Sequence, residues 1–126
     1  MYPEDLRYSE THQWARAEGG VATVGITHYA QDQMGELVYV DVPEVGQRVA
    51  AGEPFASIES VKAVEDVESP VSGVVVEVNE ALADDPAMVN AEPYGKGWVA
   101  KIEMEHPDEL KSLWSAERYQ EFLKTL

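Results

Sequence analysis

Apolar and polar residues alternate with a period of two through most of the first two-thirds of the chain, and Gly and Pro interrupt the alternation at turn-like spacing. That is the pattern of many short strands. Trp14 and its neighbours run into Glu18-Gly19-Gly20, and Val21, Thr23, Val24 and Ile26 follow, predicting a β-hairpin. Thr27 is placed to cap a short helix from His28 to Met34, which Gly35 closes. Leu37, Tyr39 and Asp41 then alternate with Val38, Val40 and Val42, giving a further strand that Pro43 ends.

Beyond Val45 the chain echoes itself. Val45 to Val49 with Pro54 to Ile58 precede a central turn, and Pro70 to Val78 follow it, an arrangement that fits a pseudo-twofold sandwich or flattened barrel. Trp98 to Ile102 reads as one more strand, announced by Pro93, Gly95 and Gly97. The period then lengthens. Pro107, Asp108 and Glu109 suit the first turn of a helix, with Leu110, Leu113 and Trp114 at helical spacing. Ser115 can cap a last helix with Tyr119, Phe122 and Leu123 on one stripe, which is expected to pack on the barrel. The expectation is a mainly β fold with short peripheral helices and a helical C-terminal segment from about 107 to 126. No linker divides it, so residues 1–126 read as one domain, a common size for a single core.

Charge narrows the partners. The formal net charge is −15, which opposes binding to nucleic acid or to anionic lipid, both of which need Lys and Arg against phosphate. No apolar run approaches the ~20 residues of a membrane span. Met1 to Glu10 is acidic, with neither the layout of a secretion signal nor the Arg-rich character of a transit peptide, so the expected location is the cytoplasm. With no cysteine, thiol chemistry has to be imported. His12, His28 and His106 lack paired ligand spacing and read as surface or core residues, Asp84-Asp85 lacks the rest of a calcium loop, and no metal site is expected. Ser60 and Ser72 lack the setting of a nucleophile elbow, and no phosphate loop is present.

One cation stands out. Between Arg48 and Lys96 the only basic residue is Lys62, accompanied by Glu53, Glu59, Glu65, Asp66, Glu68, Glu77, Glu80, Asp84, Asp85 and Glu92. It lies between two strand-like pieces, at what should be a hairpin tip. Three roles are open to it: a solvated surface residue in weak pairs, a catalytic amine, or an acceptor that another enzyme acylates. Anionic neighbours favour the charged ammonium and so work against a self-activated amine. Exposure within an acidic collar suits the acceptor.

Glu59-Ser60-Val61-Lys62-Ala63 resembles the lipoylation site of the glycine cleavage system H proteins, within the lipoyl and biotinyl carrier families. Gly46, 16 residues before the lysine, and Gly73, 11 after it, match the spacing glycines of the family. The resemblance extends through His12-Gln13-Trp14, Val21 to Ile26, Tyr29-Ala30-Gln31-Asp32, Pro43 to Gly46, Ala51 to Pro54, Pro70 to Gly73, Val78-Asn79, Pro93-Tyr94 and Gly97-Trp98. Biotin carriers usually flank their lysine with Met, whereas Val61 and Ala63 stand here. Lipoyl domains of 2-oxoacid dehydrogenases are shorter and lead into linkers.

The resemblance implies a lipoyl-type flattened barrel, or barrel-sandwich hybrid, that is a shuttle rather than an enzyme. Lipoate would be amide-linked to Lys62, attached by a lipoate ligase or octanoyltransferase that recognises Glu59, Gly46 and Gly73, the two glycines also shaping the two related turns. The arm would take the aminomethyl group of glycine at the P protein, deliver it to the T protein, and be reoxidised by the L protein. A free tip favours a monomer. Thr11 and Asp66 align with two polar residues of the cleft that shelters the loaded arm. The third position, usually Glu in a His-Glu-Trp motif, is Gln13, which keeps a carbonyl acceptor but brings no charge; a Glu there should slow loss of the cargo. A depot passing lipoyl or octanoyl groups to other proteins is the alternative function.

Overall fold

The computed structural model describes residues 2–126. Strands β1 (Arg7–Tyr8), β2 (Gln13–Glu18) and β3 (Val21–Ile26) form an antiparallel run in which Gly19 and Gly20 make the second turn. Thr27 caps α1 (His28–Met34) by accepting the Ala30 N–H through Oγ1 at 3.3 Å, and the Gly35 N–H closes it on the Gln31 carbonyl at 3.0 Å. Next come β4 (Leu37–Asp41), β5 (Arg48–Val49), β6 (Pro54–Ser60), β7 (Val64–Glu68) and β8 (Gly73–Val78). The one-turn helices α2 (Ala81–Asp84) and α3 (Met88–Ala91) lead to β9 (Ala100–Met104). A 3₁₀ helix (Pro107–Ser112) and α4 (Ala116–Leu123) end the chain.

The strands form two sheets, a six-stranded one in the order β1-β2-β3-β9-β8-β5 and a three-stranded one in the order β4-β6-β7. Val24, Ile26, Val75 and Ile102 from the larger sheet meet Val40, Ile58 and Val67 from the smaller in one core. Burying such side chains is worth roughly 1.5–3 kcal/mol each relative to exposure. A second, aromatic cluster fixes α4: Tyr119 stacks on Tyr8 at 4.9 Å, beside Leu6, Trp14 and Ala116. Ser115 Oγ caps α4 by accepting the Arg118 N–H, and the Tyr119–Phe122–Leu123 stripe packs inward as expected. Among the described residues no helix is long and apolar enough to cross a membrane.

Four local expectations need revision. In β4 a register shift between Leu37 and Tyr39 breaks the alternation, so that Val38 and Tyr39 both face out while Leu37 and Val40 are buried. The strand expected at Trp98 begins at Ala100, because Trp98 is still held by the preceding turn through its N–H to the Gly95 carbonyl at 3.2 Å. The segment after Pro107 is a 3₁₀ helix rather than an α-helix. Its Glu109 carboxylate is engaged with Ser72, accepting from N–H and Oγ at 2.8 Å each, and Trp114 leaves it to exchange backbone hydrogen bonds with Tyr8.

The fourth revision concerns the paired glycines. Gly46 sits in a turn at φ 93°, in open space, with its N–H on the Val75 carbonyl. Gly73 instead begins β8, where an added Cβ would lie 2.0 Å from the Glu103 carbonyl oxygen. One glycine supplies a left-handed backbone and the other supplies room for a neighbouring strand. Gly46→Ala should therefore cost about 1–2 kcal/mol of left-handed strain. Gly73→Ala should cost more, about 3 kcal/mol or above, because its neighbour is backbone that cannot move aside. Urea unfolding of the two variants checks this order.

Candidate functional site

The hairpin tip is built by strand pairing behind it. β6 and β7 run in register through Ser57 opposite Asp66, Ile58 opposite Glu65 and Glu59 opposite Val64. The Ser60 N–H then donates to the Ala63 carbonyl at 2.9 Å, leaving Val61 and Lys62 as the two residues of the tip. Both are exposed, Val61 by 92%. The ion pairs among the described residues are Arg48–Glu105, Lys101–Glu77 and Lys124–Glu121, so the acids around Lys62 leave its ammonium unpaired. Its stem passes Gly35, where a Cβ would lie 3.9 Å from Lys62 Cε. That corner is held by Asn90, which accepts the Leu37 N–H at 2.9 Å and donates to the Gly35 carbonyl at 2.8 Å and to Gln31 Oε1 at 2.9 Å.

Beside the tip lies a cleft of about 380 Å³. Its apolar walls come from Ile26, Ala30, Met34, Ile58, Ala63 and Val67, and its polar rim from Thr11, His12, Gln13, Tyr29, Gln33, Glu65 and Asp66. Thr11, Gln13 and Asp66, which are 55 positions apart at the extremes, thus share one hollow next to Lys62. Glu59 lies outside it, and so do Gly46 and Gly73, which belong to a turn and to β8. The register adds Glu65 to the rim. Directly opposed residues share a face of the sheet, so Glu65 stands with buried Ile58, Ala63 and Val67 line the same side, and Asp66 stands with Ser57.

Gln13 does more than replace a carboxylate. It is 3% exposed, and its Oε1 accepts from Ser9 Oγ at 2.7 Å and Thr11 Oγ1 at 2.5 Å, while Nε2 donates to the Thr11 carbonyl at 2.9 Å. Its carbonyl is therefore already occupied twice over. The amide donor holds the Ser9–Gln13 turn closed, a duty that no reading of side-chain charge alone could reveal.

His12 adopts φ 75°, an uncommon backbone for a residue with a side chain. Its Nδ1 is 2.7 Å from Tyr119 Oη, which is 2.8 Å from Thr27 Oγ1, so α4 and the α1 cap are tied to the cleft wall through one phenol. Burial lowers the His12 pKa and raises that of Tyr119 above the usual phenol range. On the other side of the Ser9–Thr11 segment a hollow of about 510 Å³ is lined by Glu10, Glu68, Ser69, Pro70, Glu109 and Trp114 among others; it lacks Lys62 and its flanking residues. Among the described residues no group of three His, Asp or Glu side chains could hold a metal ion. An unpaired exposed amine beside an apolar cleft with a polar, acidic rim can anchor an acyl arm and receive its far end.

The family model described as "Glycine cleavage H-protein" matches residues 6–126. The glycine cleavage system H protein of Alcanivorax borkumensis is 56% identical over 118 residues, covering 94% of this chain and 92% of that protein. That of Rubrobacter xylanophilus is 54% identical over 120 residues, covering 94% and 95%. The crystal structure of a glycine cleavage system H protein from Mycobacterium marinum superposes with a TM-score of 0.89 at 39% identity, covering 97% of this chain and 98% of that one. The likeness extends over the whole architecture, the two-sheet sandwich and the terminal helix included.

The hydrogen bonds make two measurements decisive. Gln13→Glu sets a carboxylate oxygen against the Thr11 carbonyl, so unfolding at pH 7 should fall by about 1–3 kcal/mol, the cost of an unmatched buried acceptor. The deficit should shrink as pH falls and the acid regains a proton to donate. For His12, both folded and unfolded states are neutral above the ordinary histidine range, and below it the unfolded state takes up a proton first. Stability should therefore drop as pH falls from that range toward the lowered folded value, and His12→Gln should flatten this part of the profile in urea titrations.

Proposed function

The chain belongs to the glycine cleavage H-protein family and serves as a lipoyl carrier of the glycine cleavage system, and on that premise we propose that Lys62 is its point of attachment, in amide linkage to lipoate. The observation that carries the assignment is an unpaired, exposed lysine held on a two-residue tip beside a cleft. The residues fit the group. Ile26, Ala30, Met34, Ile58 and Val67 offer apolar surface for an aliphatic chain and dithiolane, and the polar rim lies farther along. When bound, lipoate supplies the redox-active sulfur pair that a chain without cysteine lacks.

The protein's own residues hold, shelter and present. The β6–β7 pairing fixes where the arm starts, and the high effective concentration of a tether lets one carrier serve several sites in turn. The apolar walls exclude water from the cleft. Thr11 and the carboxylates of Glu65 and Asp66 give the rim acceptors for a cationic amine, the group that the aminomethyl cargo of glycine presents. Gln13 acts one step back, fixing the Thr11 hydroxyl through its own carbonyl.

The protein itself is not a catalyst. Its partners are a pyridoxal-phosphate glycine decarboxylase (the P protein), a tetrahydrofolate-dependent aminomethyltransferase (the T protein), a dihydrolipoamide dehydrogenase (the L protein), and a lipoate ligase or octanoyltransferase that recognises Glu59. It works as a monomer in the cytoplasm. An acidic carrier is drawn to basic docking surfaces.

Intact mass and peptide mapping after incubation with a lipoate ligase, lipoate and ATP should show one lipoyl amide, confined to Lys62. Lys62→Ala should abolish it and Lys96→Ala should leave it whole. Modification elsewhere, or none with an active ligase, would overturn the assignment.

A further inference from the structure

Seven large hydrophobic residues are exposed among the described residues, and four of them, Val38, Tyr39, Val61 and Val64, gather on the three-stranded sheet that carries Lys62. They are exposed by 50, 52, 92 and 66%. The clustering has a local cause. The register shift in β4 turns Val38 and Tyr39 out together, and strand pairing then sets Tyr39, Glu59 and Val64 in one row across the sheet. The next row is Asp41, Ser57 and Asp66, the last on the edge strand, where it also borders the cleft. Val38, Tyr39, Val61 and Val64 therefore surround Glu59 just below the tip, with Asp41 in the next row, and neither carboxylate takes part in the ion pairs among the described residues.

Exposed apolar side chains cost solubility unless something covers them, and uncompensated carboxylates among and beside them select a basic neighbour. The geometry points to this patch as the docking surface for the enzyme that acylates Lys62, through an apolar seat flanked by Lys and Arg. The inference rests on the carrier assignment above.

Reach decides which partner occupies it. A lysine stem is only four methylenes long, so an acylating active site has to close on the residues beside the tip before its donor meets Nζ. Enzymes that act later meet the far end of a much longer arm and can dock elsewhere. In the step itself Nζ, freed of a proton by a base on the enzyme, attacks the acyl carbon of an enzyme-held acyl adenylate or acyl thioester. The C–N bond forms, the C–O or C–S bond breaks, the leaving group departs with the electron pair, and the second Nζ proton passes to the base or the leaving group. Tyr39, Val61 and Val64 take no part in that chemistry; they bind.

The test uses the full unmodified chain with a lipoate ligase, lipoate and ATP, followed by intact mass. Tyr39→Ser and Val64→Thr should each raise KM for the chain about tenfold, the effect of losing one well-packed interface anchor, with kcat nearly unchanged. Raising salt should raise the parent's KM. Val76→Thr, an equally solvent-facing change on β8, should behave as the parent, and thermal unfolding should show all three variants folded. Once driven to full lipoylation, the Tyr39 and Val64 variants should be reoxidised by a dihydrolipoamide dehydrogenase with the parent's KM. An unchanged KM in the acylation step, an equal rise for Val76→Thr, or an equal rise with the dehydrogenase would each overturn the docking surface while leaving Lys62 as the anchor. A parent chain that is never acylated at Lys62 would overturn the anchor and the docking surface together.

Discussion

Lys62 is held from behind. The tip itself has one backbone hydrogen bond, Ser60 to Ala63, and nothing grips the lysine head. What prevents the turn from wandering is the burial of Ile58, Val67 and Val40 on the inner side of the same three strands, against the larger sheet. Slipping β6 by one residue would turn its own buried Ala56 and Ile58 to the outer face, which is the physical reason that the register, and with it the place of Lys62, is single-valued. The Asn90 clamp on the α1–β4 corner secures the remaining side.

The same register explains the division of labour on the two faces of the small sheet. Its inner side continues from the core straight into the cleft, so the core and the apolar walls of the cleft come from one set of residues. Its outer side has no second layer over it. A carrier needs both: one side to keep its cargo dry and another that stays available to a visitor.

Much of this was legible in the chain. Period-two alternation, Thr27 and Ser115 as caps, the Gly19-Gly20 turn and the isolated cation at residue 62 all depend on near neighbours, and the structure reproduces those elements. What could not be read depends on distant ones. Nothing near Gly73 announces that the Glu103 carbonyl passes over it, and nothing near Glu109 shows that Ser72 is waiting for its carboxylate. Resemblance brought Thr11, Gln13 and Asp66 to attention, and the fold places all three on one hollow, yet Glu65 emerged only from strand pairing and Gln13's double occupancy only from the Ser9–Gln13 turn. The outward pair Val38 and Tyr39 was hidden by a bulge that simple alternation cannot express.

The phenol of Tyr119 joins the cleft wall to the last helix of the chain. The end of the polypeptide, though far in sequence from Lys62, thereby acts as a bolt on the cleft. During synthesis the strands and the lysine leave the ribosome well before that bolt exists. On the proposed assignment, an acylating enzyme that met the chain early would find Lys62 on its hairpin but the cleft unfinished, which ties the order of maturation to the last turns of the protein.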